Sequence, residues 1–537
     1  MDGLTLSLVT AASTLAGCWG MLAVNRISEL KNRPRVTEKT DAPMPSLAVV
    51  LPCHGSYSFA RICERWNSQL NTTYSGPVSF VYVVESLDDP AFMTICRYLS
   101  QVHGLEEAGK AALSQDPSYL EKDVMLETSP HRSVRLAVAG VTSRSSQKIH
   151  NMLFALRDCT ADFVAFLDDD IKVHRGTLDS LVFALRANPH ALVSTGYSVE
   201  VPVAQATRAQ KELPPFANQL IMVYRMINMI SFSFTRVPFC WGGCFCMPRQ
   251  AIYEGSPSPY SAWVDGGYSE DTILSHIAHQ QGRSIICPRD AVLVNELHAS
   301  NSIAKSYIPY LRRQLFVLKT YHTHYEKIAN RLLLIAALGA FLSVDSMVIL
   351  AVVRGICCIS KLSLLGLLRS LIFFRSIEVV DRVYSFLFHV KDSLGLSTEL
   401  GAIILKGQLF QVNALVVTLA LLAAAHNTCF SLLVRLCNVQ SPEKLQTKPS
   451  IRIGTTAIAI LVHCFAMPIL IISVMFKRQI RWGSRTYVCS EGRVASVELT
   501  SSALRSAKEK ANAEEVLATD KVPVVKERIQ ANKKSLD

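Results

Sequence analysis

Five strand-type residues, Phe163 to Leu167, run directly into Asp168-Asp169-Asp170. Ligands of open α/β sheets bind at the carboxyl ends of strands, and residues i and i+2 of a strand point to one face. Asp168 and Asp170 are therefore placed to act together. Paired carboxylates suit a hard divalent cation, Mg2+ or Mn2+, which takes oxygen ligands and shares them with substrate phosphates. The plainer alternative is a solvated acidic turn. A second run, Val83-Val84-Glu85-Ser86-Leu87-Asp88-Asp89-Pro90, puts Glu85 and Asp88 just beyond another strand. They either hold a base or ribose or form an acidic loop. Lys148 and Asn151, three apart in Ser145-Ser146-Gln147-Lys148-Ile149-His150-Asn151, share one face if this segment opens a helix. Lysine supplies a point charge for phosphate, and asparagine supplies donors and acceptors; a helix start capped by Ser145 or Ser146 reads equally well. Glu270 and Asp271 follow Gly266-Gly267 and precede Ile273, Leu274 and Ile277. First-turn acids are ordinary dipole partners, while a carboxylate at Asp271 is also suited to take a proton from an acceptor hydroxyl. Trp241-Gly242-Gly243 reads as an acceptor-site strand on which a ligand packs, or as a plain core strand.

The elements that must carry these residues alternate in kind. Strand patterns at 46–52, 78–85, 134–141, 162–168 and 283–288 are separated by helical ones, which points to βαβ units and a mostly parallel sheet. Residues 100–130 read as an inserted helix and loop. Outside 46–325 the character changes. Residues 4–24 form an apolar anchor followed by Arg26, Lys31, Arg33 and Arg35, and 25–45 form a linker. Segments 332–353, 408–431 and 452–476 have the length and apolarity of membrane spans. Residues 355–375, interrupted by Lys361 and Arg369, count as a further span. The tail 477–537 holds 13 Lys/Arg against 8 Asp/Glu, which favours the cytosol. A cytosolic domain and a cytosolic tail then require an even number of spans between them.

The 537 residues carry 18% charged and 50% hydrophobic residues, net charge +12 and mean hydropathy +0.24. Those values exclude a disordered chain and a small disulfide scaffold. The positive charge is spread over membrane flanks and tail, not gathered on an aromatic-lined basic stripe, so nucleic acid is not the partner. Fifteen cysteines without paired spacing, Cys240, Cys244 and Cys246 included, read as small buried residues and not as a zinc site.

Taken together, VVESLDDPAF, SSQKIHN, FLDDDIKVHRGTL, WGGCFCM, DGGYSEDTIL and YLRRQLFVL resemble membrane-bound inverting glycosyltransferases, and most narrowly the plant-type branch of the ceramide glucosyltransferases. The resemblance spans about 50–490 and continues into LCNVQSPE and IRWGSRTYV. It implies an α/β GT-A (Rossmann-like) nucleotide-sugar-binding domain plus a helical transmembrane region. It implies transfer of glucose from UDP-glucose to ceramide, with a divalent cation, on the cytosolic face of Golgi or endoplasmic reticulum membranes. Of the family's D1, D2, D3, (Q/R)xxRW pattern, D2 falls on Asp168 with Asp170 completing DxD, and D3, the expected base, falls on Asp271. D1 falls on Ser86, beside Glu85 and Asp88. At the last motif Gln314 is kept, Val317-Leu318 replace Arg-Trp, and Arg312 and Arg313 supply positive charge. Two other readings stand beside this one: a processive polysaccharide synthase of the same fold, and an inactive membrane scaffold.

Overall fold

The computed structural model describes residues 3–32, 43–104, 124–125, 132–202, 215–297, 302–373, 398–440, 451–483 and 485–499. The expected linker at 33–42, most of the insertion at 105–131 and the tail beyond 499 lie outside the described residues.

Eleven strands form the α/β region: β1 Leu47–Pro52, β2 Val78–Val84, β3 Val124–Met125, β4 Arg132–Val138, β5 Phe163–Leu167, β6 Ala191–Thr195, β7 Tyr197–Pro202, β8 Arg236–Val237, β9 Cys244–Pro248, β10 Ser284–Ile286 and β11 Val292–Leu297. Nine of them make one sheet in the order β3-β4-β2-β1-β5-β9-β6-β10-β8, while β7 and β11 pair separately. The centre, β4-β2-β1-β5, is parallel. Strands β1, β2 and β5 read as nearly continuous apolar runs because helices cover both faces, as buried parallel strands require, whereas β4 carries Arg132, Ser133 and Arg135. Trp66, Ile95 and Leu181, from helices Phe59–Leu70, Pro90–His103 and Thr177–Ala187, fill one face. Ile149 and Met152, from Gln147–Leu156, and the residues of Phe216–Met229 fill the other. All five strands expected from the sequence are present, within a few residues of their expected ends.

Strand β9 runs antiparallel to β5, with Cys244 opposite Leu167. This reversal sets the residues before β9 in front of the carboxyl end of β5. Strand order turns at β1, which is flanked by β2 and β5. A crevice at the carboxyl ends follows from that switch of direction.

Among the described residues, three helical stretches are long and apolar enough to cross a membrane: His324–Leu350, Asn413–Gln440 and Ile453–Phe476. The first corrects an expectation. Residues 332–353 and 355–375 were expected as two spans, but a single helix runs from His324 to Phe373. Lys361 and Arg369 are good helix formers, so they lower the hydropathy without ending the helix. The N-terminal helix Gly3–Asn32 is held to the α/β region. Trp19 donates its indole N–H to the Met226 carbonyl, and buried Arg26 donates to the carbonyls of Phe232, Phe234 and Cys287. The tail is also not simply a basic extension. Strands β12 Gln479–Trp482, β13 Arg485–Ser490 and β14 Arg493–Leu499 form an antiparallel sheet, whose apolar Ile480, Tyr487 and Val494 join the buried core.

Candidate active site

A cleft of about 230 Å³ opens at the carboxyl ends of β1, β2 and β5. It is lined by Cys53 and His54 after β1, Glu85 after β2, and Asp168, Asp169 and Asp170 after β5. Lys148 and Asn151 of the helix Gln147–Leu156, and Arg313 of the helix Ile308–Phe316, add to it.

Asp168 is fixed through its backbone: its N–H donates to the Gly243 carbonyl at 2.9 Å. Gln69 donates its side-chain amide to the Asp168 and Ile171 carbonyls at 3.0 Å each. The three carboxyls differ. Asp169 accepts from the Tyr57 hydroxyl. Burial, together with Asp170, pushes its pKa up to about 7. Asp170 is also raised, by burial and by Asp168, and it has no hydrogen-bond partner among the described residues. Asp168 commits only Oδ1 to the protein, to Lys148. Mutually repelling acids with uncommitted oxygens fit a divalent cation, and Asp168 and Asp170 are the residues that would hold it.

Lys148 joins the two acidic motifs. Its Nζ lies 2.6 Å from Asp168 Oδ1, 2.5 Å from Glu270 Oε1 and 3.0 Å from the Gly242 carbonyl. An ammonium has three N–H groups, and all three are taken. Burial opposes its charge, but Asp168 and Glu270 outweigh that and hold its pKa well above the usual lysine range. Glu270 is 6% exposed; burial raises its carboxyl to about 7 even though Lys148 pulls the other way.

Asp271 opens the helix Glu270–Gln280. Its Oδ1 accepts from the Ser269 hydroxyl and the Thr272 N–H, and among the described residues its Oδ2 accepts from Gly242 N–H alone, at 3.1 Å. Trp241-Gly242-Gly243 is a turn before β9, not the strand expected, because the chain must bend there to reach both Lys148 and Asp271. A Cβ on Gly242 would lie 2.3 Å from Glu270 Oε1, so a larger residue there would have to displace the carboxylate that pairs with Lys148. Trp241 itself leans on Tyr197 and Arg225, with centroid separations of 5.7 Å to each.

The remaining expected residues divide. Asn151 lines the cleft, but its amide is spent on the Val83 carbonyl and on Gln147. Asp88 is exposed and outside the cleft lining. Its neighbour Asp89 is instead the N-cap of Pro90–His103 and accepts from His54, Gly55 and Ala91. Arg313 lines the cleft, whereas Arg312 and Gln314 do not; the Arg312 Nε is buried without a hydrogen-bond partner among the described residues.

The β12–β13 hairpin supplies cleft residues that sequence reasoning missed: Trp482, Arg485 and Tyr487. Arg485 Nη2 lies 2.8 Å from Glu85 Oε2. The Arg313 guanidinium sits 5.5 Å from the Trp482 ring centroid. Arg478-Gln479-Ile480-Arg481-Trp482 spells an RxxRW sequence, a signal that could have directed attention past the last apolar helix. His54, Glu85 and Asp89 also approach one another closely enough for a metal, but each already has protein partners.

Residues 141–255 match glycosyl transferase family 2, a stretch that runs from just before Lys148 through the three aspartates to the end of β9 and the short helix after it. No curated protein matches the chain. Among solved structures, the mannosyltransferase PcManGT from Pyrobaculum calidifontis in complex with GDP-Man and Mn2+ is similar at 15% identity and a TM-score of 0.34, covering 77% of this chain and 99% of that one. So distant a likeness assigns no residue a role. Residues 141–255 are thus similar to a glycosyl transferase family 2 domain, and they lie within a Rossmann-like α/β fold.

Proposed function

We propose that the protein is an inverting glycosyltransferase that moves glucose from UDP-glucose to the primary hydroxyl of ceramide in a membrane, giving glucosylceramide. The observation that carries the transferase reading is the Lys148 bridge, which ties Asp168, at the cleft after β5, to Glu270, the residue before Asp271. The acids that would hold a divalent cation are thereby linked through one lysine to the helix start that carries Asp271. Glucose and ceramide rest on the resemblance of the quoted motifs, and the apolar helices beside the domain suit an acceptor that stays in the bilayer.

In this reaction Asp271 Oδ2, the oxygen with only one protein donor, takes the acceptor proton. The acceptor oxygen forms its bond to the anomeric carbon as the bond from that carbon to the diphosphate breaks, in one displacement with inversion. A divalent cation held by Asp168 and Asp170 would neutralise charge on the departing diphosphate. Ser269 and the Thr272 N–H occupy Oδ1 and fix the carboxylate plane.

Purified protein given UDP-glucose and ceramide-containing vesicles should yield one lipid product of one added hexose by mass spectrometry. Asp271→Asn should lower that rate by about a hundredfold or more. The base assignment fails if the variant keeps a tenth of wild-type turnover. A processive synthase remains the second reading, since Trp482, the last residue of the Arg478 to Trp482 sequence, lines the cleft. A ladder of long products would establish it in place of the lipid reading.

A further inference from the structure

We infer that Arg485, carried by the sheet beyond the last apolar helix, grips the diphosphate of the sugar donor, a task that Lys148 cannot perform as it stands. This rests on the nucleotide-sugar reading above and deepens it.

The cleft contains four carboxyls: Glu85, Asp168, Asp169 and Asp170. A donor diphosphate adds further negative charge, so cationic donors must face it. Lys148 lines the cleft, but its three N–H groups all go to Asp168, Glu270 and Gly242. Two guanidinium groups remain, Arg313 and Arg485. Arg485 is 5% exposed, yet it borders the cleft. Its Nε and Nη2 donate to a single oxygen, Glu85 Oε2, at 3.2 and 2.8 Å. A guanidinium has five N–H groups, and Nη1 has no partner among the described residues. Glu85 therefore orients the planar fork and leaves donors over, an arrangement suited to two phosphate oxygens. Arg313, seated against Trp482, provides the second cation.

The sheet is built as a wall of the cleft. The Tyr487 hydroxyl accepts from the Gln147 N–H at 3.3 Å, at the start of the helix that carries Lys148. Gly483 has φ +59, and a Cβ there would lie 2.9 Å from His54 Nε2, so the hairpin turn presses on the loop after β1. Val494 N–H donates to the Gly266 carbonyl, and Tyr321 N–H to the Gly492 carbonyl. Arg493 pairs with Asp265 at 2.5 Å on the outside.

The plain alternative is that Arg485 merely staples the sheet to Glu85. Titration calorimetry of the full-length protein in detergent with UDP, together with donor KM and kcat, separates the two. Arg485→Ala should weaken UDP and raise donor KM roughly tenfold to a hundredfold. Arg485→Lys should recover only part of this, because an ammonium lacks the fork. Arg493→Ala removes a staple but no cleft group, and should bind UDP as wild type does. The inference is overturned if Arg485→Ala keeps wild-type UDP affinity. It is equally overturned if Arg485→Ala and Arg493→Ala weaken UDP alike while lowering the unfolding midpoint alike. Wild-type protein that binds no UDP would instead overturn the donor reading itself.

Discussion

Lys148 shows how residue type and residue task separate. In sequence it is a cation three residues from Asn151, suited to phosphate. In the fold it is the shared counter-ion of Asp168 and Glu270. Truncating it would leave Glu270 buried without its cation, a costly state. Lys148→Ala should therefore lower kcat about a hundredfold, roughly 3 kcal/mol of transition-state stabilisation. Donor KM should move little, because no Lys148 N–H is left for the donor. Steady-state kinetics with varied UDP-glucose checks this; an unchanged kcat with a raised KM would make Lys148 a donor ligand after all. The bland readings were also partly right at this scale. Ser146 does cap the helix of Lys148, accepting from Ile149, and Asp271 does occupy a first helical turn.

Among the elements, the loop after β2 has the clearest division of labour. Glu85 faces the cleft, Asp88 faces solvent, and Asp89 caps Pro90–His103. Burial pushes the Asp89 carboxyl up, but hydrogen bonds from His54, Ala91 and Gly55 outweigh it and leave the pKa lowered. His54 is raised by its bond to Asp89. Asp89, with a depressed folded pKa, stabilises above its unfolded value near 4 and loses that contribution as pH falls through the folded one. His54, with a raised pKa, stabilises below its unfolded value near 6.5 and loses that contribution as pH rises through the folded one. The pair is therefore strongest at mildly acidic pH. Asp89→Ala should cost about 1–2 kcal/mol from the cap alone, and the gap from wild type should narrow as pH rises past the His54 titration. Thermal unfolding in detergent across pH 5 to 9 measures the gap, and a gap that widens with pH contradicts the pairing.

At the scale of the molecule, the chain leaves the α/β region near His324, passes through the apolar helices and returns. Glu85 precedes those helices and Arg485 follows them, 400 residues apart in sequence, yet they touch. If those helices cross a membrane, this contact requires both flanks to lie on one side of it and the number of crossings between 324 and 476 to be even. Three complete crossings would separate them. The helix Ile453–Phe476 has 44% of its apolar window buried in protein, against 17% and 33% for the other two, and its His463 bonds Tyr307 of the α/β region at 2.7 Å. Epitopes placed after Asp537 and in the exposed loop at Ser56 should be equally protected, or equally accessible, to protease in sealed vesicles. Opposite responses would contradict the shared cleft.

The acidic runs and the helix starts were legible because each is a local pattern: a strand ending in carboxylates, or acids opening a periodic helix. Their spacing along the chain specified the alternating α/β fold, and hydropathy specified where the apolar helices fall. The cleft was legible only in halves. Nothing local to Lys148 says that Glu270, more than a hundred residues on, will occupy its ammonium. Nothing in the basic tail says that Arg485 will face Glu85. Those pairings depend on β9 reversing beside β5 and on a sheet folding back after the last apolar helix. The sequence by itself determined which residues could do chemistry, since that depends on residue type and period. Only the tertiary structure decided which of them meet, because charge satisfaction in a buried cleft depends on distances that chain order does not encode.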